Sequence, residues 1–162
     1  MKPFERFVWA VVFGILLGTL VIHWAAHADD IVTIGFGPSL DGTTNPKELA
    51  LGYEKTWGEL SLYTHCGALF ESETNGYCAV LIGVHIETPA GVFTRLSVGP
   101  AYVLHISDPR ISSNLNANIV AALGVYQGPA FGGLEFGHIS NAGAVPPNLG
   151  DDHGLVQIGW RF

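Results

Sequence analysis

His138 and Ser140 stand two apart in the run His138-Ile139-Ser140-Asn141-Ala142-Gly143, which is followed by Pro147-Asn148-Leu149-Gly150-Asp151-Asp152. In an extended strand, residues two apart share a face. Leu134 and Phe136 have the parity of His138 and Ser140, so that face is otherwise apolar. Asp152 has the parity of Val156, Ile158, Trp160 and Phe162, the apolar side of the last strand. If the two runs form an antiparallel hairpin, a hydroxyl, an imidazole and a carboxylate converge on one outer patch. Those groups are the nucleophile, base and orienter of acyl transfer. Serine needs the base to lose its proton at neutral pH, and the base needs a partner that fixes its tautomer. A lone His-x-Ser on a strand is common, and triads are recognised by geometry, not by spacing. The location carries more weight, because ionisable groups on an apolar, lipid-facing surface ask for a functional reason. That reason weakens toward the rim of a barrel, where the cost of such groups falls away.

The elements that must position these residues are strands. Period-2 alternation recurs along the chain, with Gly, Pro, Asn and Asp clusters between the alternating runs and no sustained 3.6 period. The pattern predicts eight strands, at about 31–38, 48–57, 59–71, 76–88, 91–106, 113–126, 130–141 and 152–162. One face of each is apolar and the other polar or small. In the sixth, Leu115, Ile119, Leu123 and Val125 oppose Asn114, Asn116 and Asn118. Short turns are expected near Trp57-Gly58, Thr88-Pro89-Ala90-Gly91 and Gln127-Gly128-Pro129, alternating with mostly longer loops near 39–47, 72–75, 107–112 and 142–151. That asymmetry belongs to outer-membrane barrels, whose periplasmic turns are short and external loops long. The fold class is therefore all-β, an eight-stranded antiparallel transmembrane β-barrel. Eight strands leave an interior filled by side chains, so no open pore is expected.

The N-terminus fits export. Lys2 and Arg6 precede an apolar run from Phe7 to Ile22, and Ala26-His27-Ala28 places small residues before Asp29. This is the layout of a signal peptide, with residues 1–28 removed and 29–162 forming the barrel; a retained anchor is the alternative, since the run could just span a bilayer. The remainder would carry five basic and thirteen acidic residues. Such a balance argues against a nucleic-acid partner, which needs a basic patch. With only 13% charged and 48% hydrophobic residues, the chain is not disordered. Its apolarity comes from alternation beyond this one run, which excludes a bundle of membrane helices.

The pattern His138-x-Ser140-Asn141-Ala142-Gly143, then Pro147-Asn148-x-Gly150-x-Asp152, resembles the outer-membrane lipid A 3-O-deacylases of the PagL type. The likeness is close over 134–162 and loose elsewhere, where export, eight strands and the terminal Phe162 agree with it. It implies a serine esterase in the outer membrane, with its triad facing the lipid near the external leaflet. The substrate would be lipid A of lipopolysaccharide, losing an ester-linked 3-hydroxyacyl chain. By position Ser140 resembles the nucleophile and His138 the base. Asp152 falls where the family has glutamate, and its side chain is one methylene shorter. It must therefore gain on His138 by a backbone shift or lose contact. Asn148 matches an asparagine implicated in the oxyanion site, Asn141 another invariant polar position, and Gly143 completes the substrate-positioning turn. No cofactor and no metal are implied.

Other residues have structural readings. Cys66 and Cys78 flank an outside loop with shared outward parity, and an exported pair is expected to form a disulfide. His65, His85 and His105 face the lumen, but His85 and His105 differ in height by roughly 30 Å at ~3.3 Å per residue, which excludes a shared metal. Glu135, Arg161 and Arg95 are expected to form a lumen ion-pair network, because buried charges must be paired. Trp57, Tyr53, Trp160 and Phe162 read as an interfacial belt. The outward aromatics also offer a surface for a homodimer among outer-membrane lipids. Two other functions remain open at this point. One is a non-enzymatic barrel for adhesion or envelope structure. The other is a soluble exported barrel holding a lipophilic ligand, against which the inward Asn row and the outward Trp160 and Phe162 count.

Overall fold

The computed structural model describes residues 30–38, 40, 47–70, 75–104, 113–144, 146 and 150–162. The expected signal peptide, His105, Asn148 and most of the longer loops lie outside the described residues. Eight strands follow one another: β1 (Asp30–Pro38), β2 (Lys47–Trp57), β3 (Leu60–Phe70), β4 (Asn75–Glu87), β5 (Val92–Val103), β6 (Leu115–Gln127), β7 (Ala130–Ser140) and β8 (Asp151–Arg161). Each pairs antiparallel with its neighbours in sequence, and β8 pairs with β1 to close the barrel. Closure leaves no sheet edge unpaired, the condition for a sheet to cross lipid.

Alternation decides which face goes where. In β6 every second residue from Asn116 to Tyr126 is buried and every residue between is exposed. The exposed set is apolar all round the barrel, including Ile34, Leu62, Ile82, Leu96, Leu123 and Ile158. A continuous apolar exterior of this kind is a membrane-facing surface, far larger than a water-soluble monomer exposes. Short turns join β2 to β3, β4 to β5 and β6 to β7, at the same end as Asp30 and Phe162.

The interior is packed in layers. Near the short-turn end, Ile31, Phe93, Ala122, Tyr126 and Phe131 form one cluster. Above it, polar groups are held by Arg95. Arg95 and Glu135 flank Ala122 in a single cross-strand row. The small Ala122 side chain lets the guanidinium pass over it to Glu135 at 2.5 Å, while Arg95 also holds Glu54 at 2.9 Å. Arg95 lies 3.7 Å from the Tyr63 ring centre, and His85 approaches Glu54 at 3.1 Å. Both carboxylates and the guanidinium are buried.

Arg161 departs from the sequence expectation. It bonds Glu87 and lies 3.8 Å from the Tyr126 ring centre, apart from Arg95 and Glu135. Parity put Arg161 correctly inside, but height separates the groups. Glu135 pairs in register with Leu155, six positions up β8 from Arg161. Six positions correspond to roughly 20 Å along a strand.

Cys66 and Cys78 are a register pair of β3 and β4 with Cα atoms 4.1 Å apart, and their sulfurs are bonded. Direct opposition brings outward side chains within bonding reach.

Candidate active site

β7 and β8 set the site. Their register places His138 directly across from Asp152. Directly opposed residues on one face have Cβ atoms ~5 Å apart, so a short acid meets an imidazole without a bulge. His138 Nδ1 stands 2.6 Å from Asp152 Oδ1. An ionised carboxylate only accepts, so this contact puts the proton on Nδ1 and leaves Nε2 as the acceptor. The aspartate therefore reaches the ring, a point that its shorter side chain left open in the sequence. Both side chains are on the outer surface, 44% and 60% exposed. Ser140, half-buried, is two residues further along β7 on the same face. Among the described residues its hydroxyl makes no hydrogen bond to the imidazole; such contacts often tighten only with substrate in place.

Gly150 is a contributor whose role the sequence pattern did not reveal. It immediately precedes β8 with φ +72°, a left-handed conformation that glycine adopts without penalty. A Cβ here would lie 2.6 Å from His138 Cε1 and 3.1 Å from Nε2. The missing side chain is thus the space in which the imidazole lies. Gly150 stood in the sequence motif, but only the folded register shows what it touches.

Past β7 the chain turns sharply. The Ala144 N–H donates to the Asn141 carbonyl at 3.0 Å, and the Gly143 N–H donates to Asn141 Oδ1 at 3.0 Å. Ala142 and Gly143 both have positive φ, +53° and +80°, the signature of a primed turn. The Gly143 N–H is thus engaged within the turn, and the Asn141 side chain, which is buried, braces it. In this arrangement both residues build the loop. Asp151, whose parity opposes Asp152, is buried inside.

The apolar floor beside the pair is also defined. Leu40 follows β1 and donates its N–H to the Asp152 carbonyl at 2.7 Å. Gly154, outward on β8, leaves a notch: a Cβ there would lie 3.3 Å from Leu40 and 3.6 Å from Phe136. Leu40 and Phe136 are both exposed. A polar pair, a hydroxyl and an apolar notch thus share one lipid-facing patch near the end of the barrel opposite the short turns.

Comparison with known proteins bears on the family and the fold. The family model described as lipid A 3-O-deacylase (PagL) matches residues 39–161. Among solved structures, the chain resembles the crystal structure of the outer membrane enzyme PagL, with TM-score 0.66 and 17% identity, covering 82% of this chain and 99% of that one. The N-terminal β-barrel domain of Pseudomonas aeruginosa OprF follows at TM-score 0.60 and 16% identity, over 83% and 98% of the two chains. The attachment invasion locus protein Ail of Yersinia pestis matches at TM-score 0.56 and 14% identity, over 84% and 99%. At these identities the structural likenesses speak for the barrel fold. Comparison with curated protein sequences returns no match. The family match spans most of the chain, including the whole last hairpin, and this outer-membrane barrel belongs to the lipid A 3-O-deacylase (PagL) family.

Proposed function

We propose that lipid A deacylation, the activity of the family, is carried out here by Ser140, His138 and Asp152. The observation that supports this most is the 2.6 Å contact between His138 Nδ1 and Asp152 Oδ1, on the lipid-facing side and beside Ser140. Lipid A in the outer leaflet reaches this patch sideways, within the membrane plane. Ser140 Oγ attacks the carbonyl carbon of the ester at the 3-position as His138 Nε2 takes the hydroxyl proton. Asp152 stabilises the resulting imidazolium and keeps its tautomer. The tetrahedral oxyanion is met by the Asn148 side chain or a backbone N–H of its loop, a contribution of ~3 kcal/mol per donor. The proton passes from His138 to the departing sugar oxygen, and the acyl group stays on Ser140. Water, deprotonated by His138, then attacks the acyl-serine and releases the 3-hydroxy fatty acid. The notch over Gly154, walled by Leu40 and Phe136, takes the start of the acyl chain. Residues 1–28 are removed after Ala28 in this reading, which N-terminal sequencing of the membrane form checks.

Mass spectrometry of lipid A from cells expressing the wild type and Ser140→Ala is the test. The wild type should remove one hydroxyacyl chain. The variant should lose about 10⁴-fold or more in rate while still running as a folded, heat-modifiable barrel. A folded Ser140→Ala barrel that still deacylates would remove Ser140 from the reaction.

A further inference from the structure

The deacylase site uses one histidine on the outer surface. Two others, His65 on β3 and His153 on β8, are fully buried in the lumen with Glu135 of β7. One donor atom from each of the three lies within 4.8 Å of the other two. We propose that these residues form a divalent metal site inside the barrel, with Glu48 at its edge, and that zinc is the cation it fits.

The pattern of satisfied and unsatisfied atoms supports a cation. Glu135 Oε2 receives Arg95 at 2.5 Å, Tyr63 Oη at 3.2 Å, and Gln157. Its other oxygen, Oε1, has no hydrogen bond and lies 3.5 Å from His65 Nε2. Glu48 repeats the arrangement: Oε1 accepts from Tyr77 Oη at 2.6 Å, and Oε2, without a hydrogen bond, lies 3.7 Å from His153 Nδ1. No protein group hydrogen-bonds any of the four imidazole nitrogens of His65 and His153. Buried polar atoms are nearly always paired, and an ion is one of the few explanations for a cluster that is not. In each carboxylate one oxygen is anchored and the other turned toward an imidazole, as second-shell partners orient metal ligands.

A purely structural reading accounts for part of this. His65 stacks on Tyr63 with ring centres 5.4 Å apart, and Tyr77 meets it edge-on at 5.4 Å. Ring packing satisfies the carbon faces but leaves the nitrogens unbonded. Charge adds a second argument. Glu48, Glu54 and Glu135 are buried in the lumen, and Arg95 is the one lysine or arginine buried with them among the described residues. Zinc with bonds of 2.0–2.2 Å in a tetrahedron needs donors about 3.4 Å apart. His65 Nε2 and Glu135 Oε1 already have that spacing. Room for the second imidazole comes from Gly137, directly opposite His153, where a Cβ would lie 2.0 Å from Nε2. Two imidazoles and a carboxylate are a common zinc donor set, with Glu48 Oε2 or water in the fourth position. The site ties β7 and β8, which carry the deacylase residues, to β3 across the lumen.

The test uses the untagged outer-membrane form, purified in detergent and stripped with chelator. Cobalt titration should give one equivalent with the visible absorption of a tetrahedral site, displaced by zinc, and added zinc should raise the unfolding midpoint. His153→Gln should abolish uptake, whereas His138→Gln, which removes the surface imidazole, should leave it intact. No cobalt uptake by the folded wild type, uptake unchanged in His153→Gln, or uptake lost in His138→Gln would each overturn the proposal. If His153→Gln does not fold, X-ray absorption of the zinc-loaded wild type decides. Two imidazoles in the shell uphold the site; one imidazole, as His138 with Asp152 would supply, or none, defeats it.

Discussion

Two of the barrel's histidine–carboxylate pairs have similar chemistry and opposite fate. His138 meets Asp152 at 2.6 Å on the lipid-facing surface, and His85 meets Glu54 at 3.1 Å inside. The inner pair is shared with Arg95, and its imidazole stacks on Phe93 with ring centres 5.1 Å apart. It is buried in the core, and its remaining nitrogen makes no hydrogen bond. The outer pair has a hydroxyl two residues away, an apolar notch below and open access from the membrane. The same two functional groups therefore stabilise the fold on one side of the sheet and are available for chemistry on the other. One step of strand parity decides between the roles.

That contrast predicts opposite responses to breaking each pair. In the proposed mechanism Asp152→Asn removes the charge that holds the His138 tautomer and stabilises the imidazolium. Deacylation should fall by about 10⁴-fold, equivalent to roughly 5 kcal/mol of barrier. Because the pair is exposed, the unfolding midpoint in urea should barely move, by about 0.5 kcal/mol or less. A variant that loses both activity and stability would show that the outer pair is structural as well.

Inside, Arg95→Met should do the reverse. It leaves Glu54 and Glu135 buried without their cation, and removing one partner of a buried pair costs about 3–5 kcal/mol. Urea unfolding followed by heat-modifiable gel mobility measures the loss. Activity per folded molecule should stay near the wild-type value, since Arg95 lies in the lumen and touches none of the outer groups. A folded Arg95→Met barrel with wild-type stability would mean that the lumen tolerates the two carboxylates in neutral form.

These two regions were not equally legible in the sequence. The strands were, because a barrel bathed in lipid imposes strict alternation and each polar-to-apolar switch is visible. The predicted and observed ends differ by three residues at most, the largest difference being the end of β5, which stops at Val103. The outer pair was legible as well, since β7 and β8 are neighbours and parity alone brings His138 and Asp152 to one face. The lumen was not. Its contacts run across the barrel between strands that are not neighbours, as from Glu54 on β2 to Arg95 on β5, and depend on stagger and height. Parity gave Arg161 the right face and the wrong partner. His153, the imidazole that joins His65 and Glu135, was passed over for the same reason: nothing in a linear pattern fixes its height against β3.

A milder perturbation tests how tightly the outer pair must be held. Gly150→Ala places a Cβ 2.6 Å from His138 Cε1 and 2.9 Å from the Ile139 carbonyl oxygen, so the ring has to move and the backbone must give with it. A misplacement of about 1 Å in a catalytic group costs on the order of 10²-fold in rate. The same substitution forces alanine to φ +72°, at a further cost of about 1 kcal/mol to stability. The expected result is a folded barrel with about a hundredfold slower deacylation and a lower unfolding midpoint. Near-normal activity would mean that the imidazole can work from a second position.

The smallest effect is expected at Ala142, and there two terms oppose each other. Its φ of +53° is left-handed, which costs an L-residue about 1–2 kcal/mol relative to the right-handed region. Glycine removes that strain, but it adds freedom to the unfolded chain worth roughly 0.4–1 kcal/mol. The difference favours the folded Ala142→Gly variant by up to about 1.6 kcal/mol, a gain that a urea titration can resolve. The turn's two hydrogen bonds, from Gly143 and Ala144 to Asn141, involve no Ala142 side-chain atom and should survive. Stabilisation with unchanged activity would mean that the strain is incidental to the hairpin. Stabilisation with slower deacylation would mean that Ala142 holds the end of β7, and with it Ser140, in a conformation that the relaxed turn gives up.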